Sequence, residues 1–229
     1  MVAVSHAARH RRFPGMRLYD YAASANCFKV RLLLAQLGTD YERVPVDIFA
    51  GETLTDAFAA INPARTTPVL EPTPGRYLPE SAAILAYLAE GTPFLPDDPF
   101  ERAQVVRWLA YEQTEVVPAT GGLRFRLVTG RLAPEDDEAV RRRRDGEDVL
   151  RLLNAHLSDR QFFVDGSYTI ADIALYGYVH IAGEAGFELE RYPAVAGWLR
   201  LVEEQPGHVN DLEPYPANAR AGSSRSIYD

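Results

Sequence analysis

The sequence predicts an α/β domain with the element order βαβ-α-ββα, followed by an all-α domain. Two observations support this division: short strand-like runs alternate with helical patterns early in the chain, and only helical patterns follow position 99. Between them, residues 91–98 are rich in Gly, Pro and Asp, which is typical of a linker. We therefore expect domains at 16–90 and 99–214.

The first domain opens with a predicted β-α-β unit. Residues 17–21 are expected to form a strand, and apolar residues recur at helical spacing over 27–37 until Gly38 ends the helix. Residues 41–46 alternate like a second strand, with Pro45 marking its end or an edge. A weak helix is expected before Ile61.

The second half of this domain contains two short strands and a helix. The strands are predicted at 67–70 and 76–78, joined by the turn-forming residues Pro72-Thr-Pro-Gly75. Glu80-Ser81 then opens a helix with apolar residues at helical spacing.

Four helical stretches are predicted in the second domain, at 99–129, 135–158, 169–186 and 193–204. Pro118 is expected to bend the first of them. Thr169 and Asp172 have the spacing of a helix cap with a favourable acidic residue in the first turn, so Asp172 is expected to be a folding residue.

Composition narrows the function classes. The net charge of -8 argues against a nucleic-acid partner, and the absence of any apolar run near 18–20 residues predicts no membrane span. One cysteine, Cys27, excludes an internal disulfide and a multi-cysteine metal site. Residues 1–15 lack the apolar core of a secretory signal. We expect both 1–15 and 215–229 to be disordered extensions.

The loop after the first strand is the first candidate site, because ligands in open α/β sheets bind beyond the carboxyl ends of strands. Ser24 either caps the next helix or donates a hydrogen bond to a bound anion there. Lowering a thiol pKa from about 8.5 by two units needs about 2.7 kcal/mol. One charge-assisted hydrogen bond and the helix end supply about that much, so no base or metal is required. Cys27 is either a thiolate at the same helix end or a small buried residue.

Two further pairs of residues offer binding groups for a peptide-like ligand. Thr67-Pro68 is a candidate cis peptide at the start of a strand, which would turn the Thr67 backbone outward. Glu80 can meet an α-ammonium group, while Ser81 and the helix N–H groups can meet an α-carboxylate. Either pair can instead have a purely structural role, as a strand start or a helix cap.

Together these segments resemble the soluble, cytosolic-type glutathione S-transferases, in particular bacterial-like members of the serine type, over residues 16–205. The resemblance is carried by four segments in order: Ser24-Ala-Asn-Cys-Phe-Lys-Val-Arg31, Asn62-Pro-Ala-Arg-Thr-Thr-Pro-Val-Leu70, Leu78-Pro-Glu-Ser-Ala-Ala-Ile-Leu-Ala-Tyr-Leu88 and Tyr168-Thr-Ile-Ala-Asp-Ile-Ala-Leu175. It implies a thioredoxin-like first domain that binds glutathione as co-substrate, and a second domain that completes the site for a small hydrophobic electrophile.

The resemblance also implies roles for individual residues. Ser24 would stabilise the glutathione thiolate, with Cys27 and Asn26 as the alternatives. Thr67, preceding Pro68, would pair with the cysteinyl backbone of glutathione, and Glu80 and Ser81 would hold its γ-glutamyl end.

The chain departs from the family pattern at Arg65 and Thr66, where family members often have glycine and then lysine or glutamine. Arg65 is either a partner of the glycyl carboxylate or a solvated arginine, and Tyr111 and Phe125 are candidates for the second-substrate site. The resemblance further implies a cytoplasmic homodimer. Three functions remain open: glutathione conjugation, glutathione-dependent disulfide reduction or isomerisation, and non-catalytic binding.

Overall fold

A computed structural model describes residues 15–164 and 166–228 of the chain. The first domain contains a four-stranded sheet and three helices in the order β1-α1-β2-α2-β3-β4-α3, which confirms the predicted βαβ-α-ββα arrangement. Their bounds are β1 Arg17–Asp20, α1 Ala25–Gln36, β2 Glu42–Pro45, α2 Asp56–Ile61, β3 Val69–Thr73, β4 Arg76–Pro79 and α3 Ser81–Ala89.

The sheet has the strand order β2-β1-β3-β4, with β2 parallel and β3 antiparallel to β1. Leu18 faces Leu70 in the β1–β3 register, and both side chains are fully buried. Helices α1 and α3 pack against each other and contribute apolar side chains to the same core. A short loop, residues 21–24, joins the carboxyl end of β1 to the start of α1.

The second domain is helical throughout its regular structure. Its helices are α4 Pro99–Tyr111, α5 Gly122–Val128, α6 Asp137–His156, α7 Ile170–Val179 and α8 Pro193–Glu203. The helix predicted over 99–129 is divided, because Glu112–Gly121 has π-helical hydrogen bonding around Pro118, which lacks an N–H donor. The predicted helix 169–186 ends at Val179 and is followed by a 3₁₀ turn at Ala182–Ala185.

The two domains dock through a buried ion pair. Lys29 of α1 and Glu112 are both fully buried, and Nζ lies 2.8 Å from Oε1. Gly177 of α7 allows this approach, since a Cβ atom there would lie 2.4 Å from Lys29 Cγ. Because breaking a buried pair leaves an uncompensated charge, this contact fixes α1 against the helical domain.

The expected disorder of the chain ends has two outcomes. Except for Gly15, residues 1–15 lie outside the described part of the chain. The prediction for 215–229 is wrong for residues 215–228, which pack along the cleft between the domains. Ala219 and Ser226 are buried, and Ala50 forms a parallel β-bridge with Arg225. Backbone hydrogen bonds to Phe49 and Thr129 hold this segment in place, which composition alone did not indicate.

Candidate active site

A cavity of about 490 Å³ opens between the two domains, which is within the usual size range of small-molecule sites. Its lining combines the loop after β1, the start of β3, the segment after β2, helix α5 and the C-terminal residues. The cavity-lining residues include Tyr21, Ser24, Asn26, Ile48, Phe49, Thr67, Gly121, Arg124, Phe125, Arg126, Arg131, Tyr178, Tyr215, Ile227 and Tyr228.

Ser24 lies at the start of α1 and borders this cavity. Its backbone is extended, and its hydroxyl oxygen accepts a hydrogen bond from the Cys27 N–H at 3.3 Å, so Ser24 caps the helix. The hydroxyl keeps its own proton for donation. No acidic residue occupies the first turn of α1, so the positive end of the helix dipole is uncompensated there. This corner of the cavity therefore favours an anion.

Cys27 does not fit the predicted alternative role of a reacting thiolate. Its side chain is fully buried, and its sulfur accepts a hydrogen bond from the Tyr21 N–H at 3.4 Å. Burial raises the pKa of the thiol to about 12, although hydrogen bonds at the helix start partly oppose that change. Cys27 is therefore a packing residue beneath the site rather than a group within it.

Asn26 and Ser81 join the starts of α1 and α3. The Ser81 hydroxyl donates to Asn26 Oδ1 at 3.2 Å, and Ser81 is buried while Asn26 borders the cavity. Glu80 directly precedes Ser81, with a positive φ of 72° and an exposed side chain that forms no capping bond. The carboxylate of Glu80 and the hydroxyl of Ser81 thus flank one helix start, as the sequence predicts.

The loop before β3 supplies the remaining predicted residues. The Thr67–Pro68 peptide bond is cis, as predicted, Thr67 borders the cavity and Pro68 is buried. Thr66 accepts hydrogen bonds from Asn62 Nδ2 through its carbonyl and hydroxyl oxygens. Arg65 has a φ of 59° and donates to the carbonyls of Thr53 and Thr55 at 3.1 and 3.0 Å. Its guanidinium is therefore held within the first domain, beside Thr66.

Only one of the two predicted second-substrate residues lies in the cavity. Phe125 stacks on Phe49 with ring centroids 6.0 Å apart, whereas Tyr111 lies outside and packs edge-on against Trp108. Sequence reasoning missed Phe49, Tyr178 and Tyr215. Their aromatic rings were visible in the sequence, but their convergence depends on domain docking.

Three arginine side chains border one side of the cavity, and carboxylates offset the charge of two of them. Arg124 pairs with Glu184 at 3.0 Å, and Arg126 lies 3.9 Å from Glu138. The Arg131 guanidinium lies over the Phe125 ring, 4.8 Å from its centroid. A ligand with both anionic and aromatic parts is compatible with these surroundings.

Two other site types find no support in the described residues, 15–164 and 166–228. Their His, Cys, Asp and Glu side chains form no cluster of three that could hold a metal ion. None of their helices has the length and apolar character needed to cross a bilayer.

Comparisons with known proteins agree with this arrangement. Residues 18–96 match the family model described as glutathione S-transferase, N-terminal domain, and residues 137–201 match glutathione S-transferase, C-terminal domain. A crystal structure of glutathione S-transferase from Pseudomonas fluorescens is similar, with a TM-score of 0.83 and 41% identity, covering 86% of this chain and 99% of that one.

Two further relatives bear on the chemistry. A Pseudomonas putida glutathione transferase, solved with glutathione disulfide bound, is 27% identical with a TM-score of 0.74 over 84% of this chain and 88% of that one. The disulfide-bond oxidoreductase YfcG of Escherichia coli is 29% identical over 90% of this chain and 97% of that protein.

Proposed function

This chain belongs to the soluble glutathione S-transferase family, and we propose that it transfers the sulfur of glutathione to a small hydrophobic electrophile. The position of Ser24 carries the proposal: a hydroxyl at an uncompensated helix start borders a cavity large enough for ligands. Such a corner stabilises a thiolate by a charge-assisted hydrogen bond and by the helix dipole.

Glutathione would lie along the first domain. Its γ-glutamyl end would meet Glu80 and Ser81, and its cysteinyl backbone would pair with Thr67. The glycyl end would then extend towards Thr66 and Arg65. This orientation points the sulfur towards Ser24, across from the aromatic side of the cavity.

The reaction needs no covalent bond to the protein. Glutathione loses its thiol proton to solvent, and Ser24 donates a hydrogen bond to the resulting sulfur anion. The anion attacks an electrophilic carbon, so a sulfur–carbon bond forms while the leaving group departs with its electron pair. Holding both reactants in one cavity replaces a bimolecular encounter by an effectively unimolecular step.

Disulfide reduction is the second candidate, and the similarity to an oxidoreductase favours it. The same glutathione thiolate would attack a disulfide sulfur, which forms a mixed disulfide with glutathione and releases one half as a thiolate. A second glutathione thiolate would then release the other half and form glutathione disulfide. The burial of Cys27 argues against a mixed disulfide on this chain. A non-catalytic glutathione-binding role would retain the same contacts without turnover. We also propose a homodimer located in the cytoplasm, on the family resemblance alone.

A conjugation assay tests the proposed function. Wild-type protein, captured on immobilised glutathione, should conjugate glutathione to an aryl halide. Ser24→Ala should lower kcat/KM by about 10²-fold, as expected for loss of one hydrogen-bond donor to a reacting anion. Ser24→Thr retains a hydroxyl and should keep most of the activity.

Assays of wild type with the two substrate types separate the two enzymatic candidates. Turnover of the aryl halide supports conjugation, whereas turnover of a small disulfide with little conjugation makes the reductase function correct. Cys27→Ala should keep whichever activity wild type has, because the buried thiol lies outside the cavity. Glutathione binding without turnover of either substrate type would leave the non-catalytic role.

A further inference from the structure

The C-terminal strap, residues 215–228, crosses the cleft and contacts both domains. On the first domain, the Arg225 N–H donates to the Phe49 carbonyl at 2.9 Å, and Asn218 Nδ2 donates to Asp47 Oδ2 at 2.9 Å. On the second, the Ala221 N–H donates to the Thr129 carbonyl at 3.0 Å. The strap therefore bridges the entrance of the cavity rather than extending into solvent.

The end of the strap lies against the loop that precedes β3. Only about 10 Å³ of space remains there, which is about the minimum for a single water molecule. The residues that enclose this space are Ile48, Thr53, Arg65, Thr66, Thr67, Ser226, Ile227 and Tyr228. Ser226–Tyr228 thus occupies one side of Thr67, next to Arg65.

The closed strap leaves polar groups unsatisfied. The Tyr21 hydroxyl and Asn218 Oδ1 are buried, and neither has a hydrogen-bond partner among residues 15–164 and 166–228. Tyr21 packs in one cluster with Ala219 and Tyr215 of the strap. Buried groups of this kind oppose the closed arrangement, because opening the strap returns them to water.

The strap also has little apolar anchorage at its end. Ile227 and Tyr228 remain 41% and 50% exposed, so much of their surface gains nothing from closure. The Tyr228 ring contacts Phe125 and Phe49 with centroids 5.4 and 6.3 Å away. These ring contacts place the end of the strap, and a ligand that fills the same space has to displace them.

We propose that Ser226–Tyr228 competes with the glycyl end of glutathione, so the strap must move aside when the tripeptide binds. This inference rests on the proposed function, which orients the glycyl residue towards Thr66 and Arg65. A shorter ligand, γ-glutamylcysteine, ends beside Thr67 and lacks the glycyl residue that would need the space filled by Ser226–Tyr228. The strap therefore weakens the binding of the tripeptide selectively.

Calorimetric titration of two chains with two ligands tests the competition. The chains are wild type and a truncation after Arg225, which retains the Ala50–Arg225 bridge. We expect the truncation to lower the Kd of glutathione at least about threefold, since apparent affinity scales with the open fraction. The Kd of γ-glutamylcysteine should change by less than about 1.5-fold, because it does not need the strap to open.

Two point variants serve as controls. Asn218→Asp replaces the bond to Asp47 by repulsion between two carboxylates, which loosens the strap, and should tighten glutathione binding by a smaller factor than truncation. Ser223→Ala alters an exposed side chain of the strap and should leave both Kd values unchanged.

Unchanged or weaker binding of glutathione by the truncated chain would overturn the inference while the proposed function stands. An equal gain for both ligands would also overturn it, because the strap would then act on the whole cavity. If neither chain binds glutathione, the proposed function fails and the inference fails with it.

Discussion

Helices α1 and α7 both begin at a hydroxyl-bearing cap residue, but one cap borders a cavity and the other lies in the core. Thr169 caps α7 in the buried core, and Asp172 returns the bond by accepting from the Thr169 N–H at 3.0 Å. Ser24 caps α1 at the edge of a cavity, and no acidic residue follows in the first turn. At the start of α7 a carboxylate balances the positive end of the helix dipole. At the start of α1 no carboxylate of the first turn does so.

This difference indicates that a helix start can bind an anion when its first turn contains no acidic residue and it borders a cavity. Asp172 also accepts from the Phe163 N–H and from Trp198 Nε1, at 3.1 and 3.0 Å. Together with two groups of Thr169, these donors are directed at one carboxylate within the protein. In α1 the residue at the position of Asp172 is Cys27, an uncharged and buried thiol, so no carboxylate of the chain accepts at this helix start. An anion of a ligand in the cavity beside Ser24 can supply the missing negative charge.

Among the substitutions that test this comparison, we expect the largest effect from removing the carboxylate at the start of α7. Asp172→Ala removes the acceptor of four hydrogen bonds, from Phe163, Trp198 and two groups of Thr169. Orphaned buried donors cost about 1–3 kcal/mol each, so the free energy of unfolding should fall by at least about 3 kcal/mol. Urea denaturation of wild type and variant measures this change.

A pH series sharpens the same measurement. Burial raises the pKa of Asp172 to about 6, against about 3.9 in an unfolded chain. The folded state then holds the proton more tightly, so the contribution of this group to stability is lost as pH rises from about 4 to 6. Asp172→Ala should lack this contribution. If Asp172→Ala lowers the free energy of unfolding by less than about 1 kcal/mol, the α7 cap does not hold the domain together.

We expect a smaller loss of unfolding free energy when the cap of α1 is removed. Ser24→Ala removes a single 3.3 Å capping bond at a half-buried position, so the unfolding free energy should fall by about 0.5–1 kcal/mol. The same denaturation experiment measures it, and Ser24→Thr should lose less. A loss at α1 as large as that at α7 would contradict the distinction between a structural and a functional cap.

The sequence predicted features that depend on local spacing. Thr169 and Asp172 are three residues apart, so their mutual bonds follow once a helix begins there. The strand order within the βαβ unit and the helix cap at Ser24 follow similarly from short-range patterns. The division of the helix near Pro118 was predicted as a bend, since proline cannot supply the missing hydrogen bond.

Features that depend on tertiary packing were not predictable from those patterns. Cys27 has the same position in its helix whether its thiol faces the cavity or the core, and only docking of the β1 loop buries it. The strap has a polar composition typical of disorder, yet Arg131 donates to the Ala219 carbonyl at 2.6 Å and so helps to hold it. Contacts of this kind join residues far apart in the sequence.

The central claim is that the α1 start stabilises a sulfur anion, and titration of the bound thiol tests it most directly. The ultraviolet absorbance of the thiolate would be followed against pH for glutathione bound to wild type and to Ser24→Ala. We expect a pKa about two units below the free value of about 8.5 in wild type, and a value near the free one in the variant. Identical pKa values in the two proteins would contradict the account.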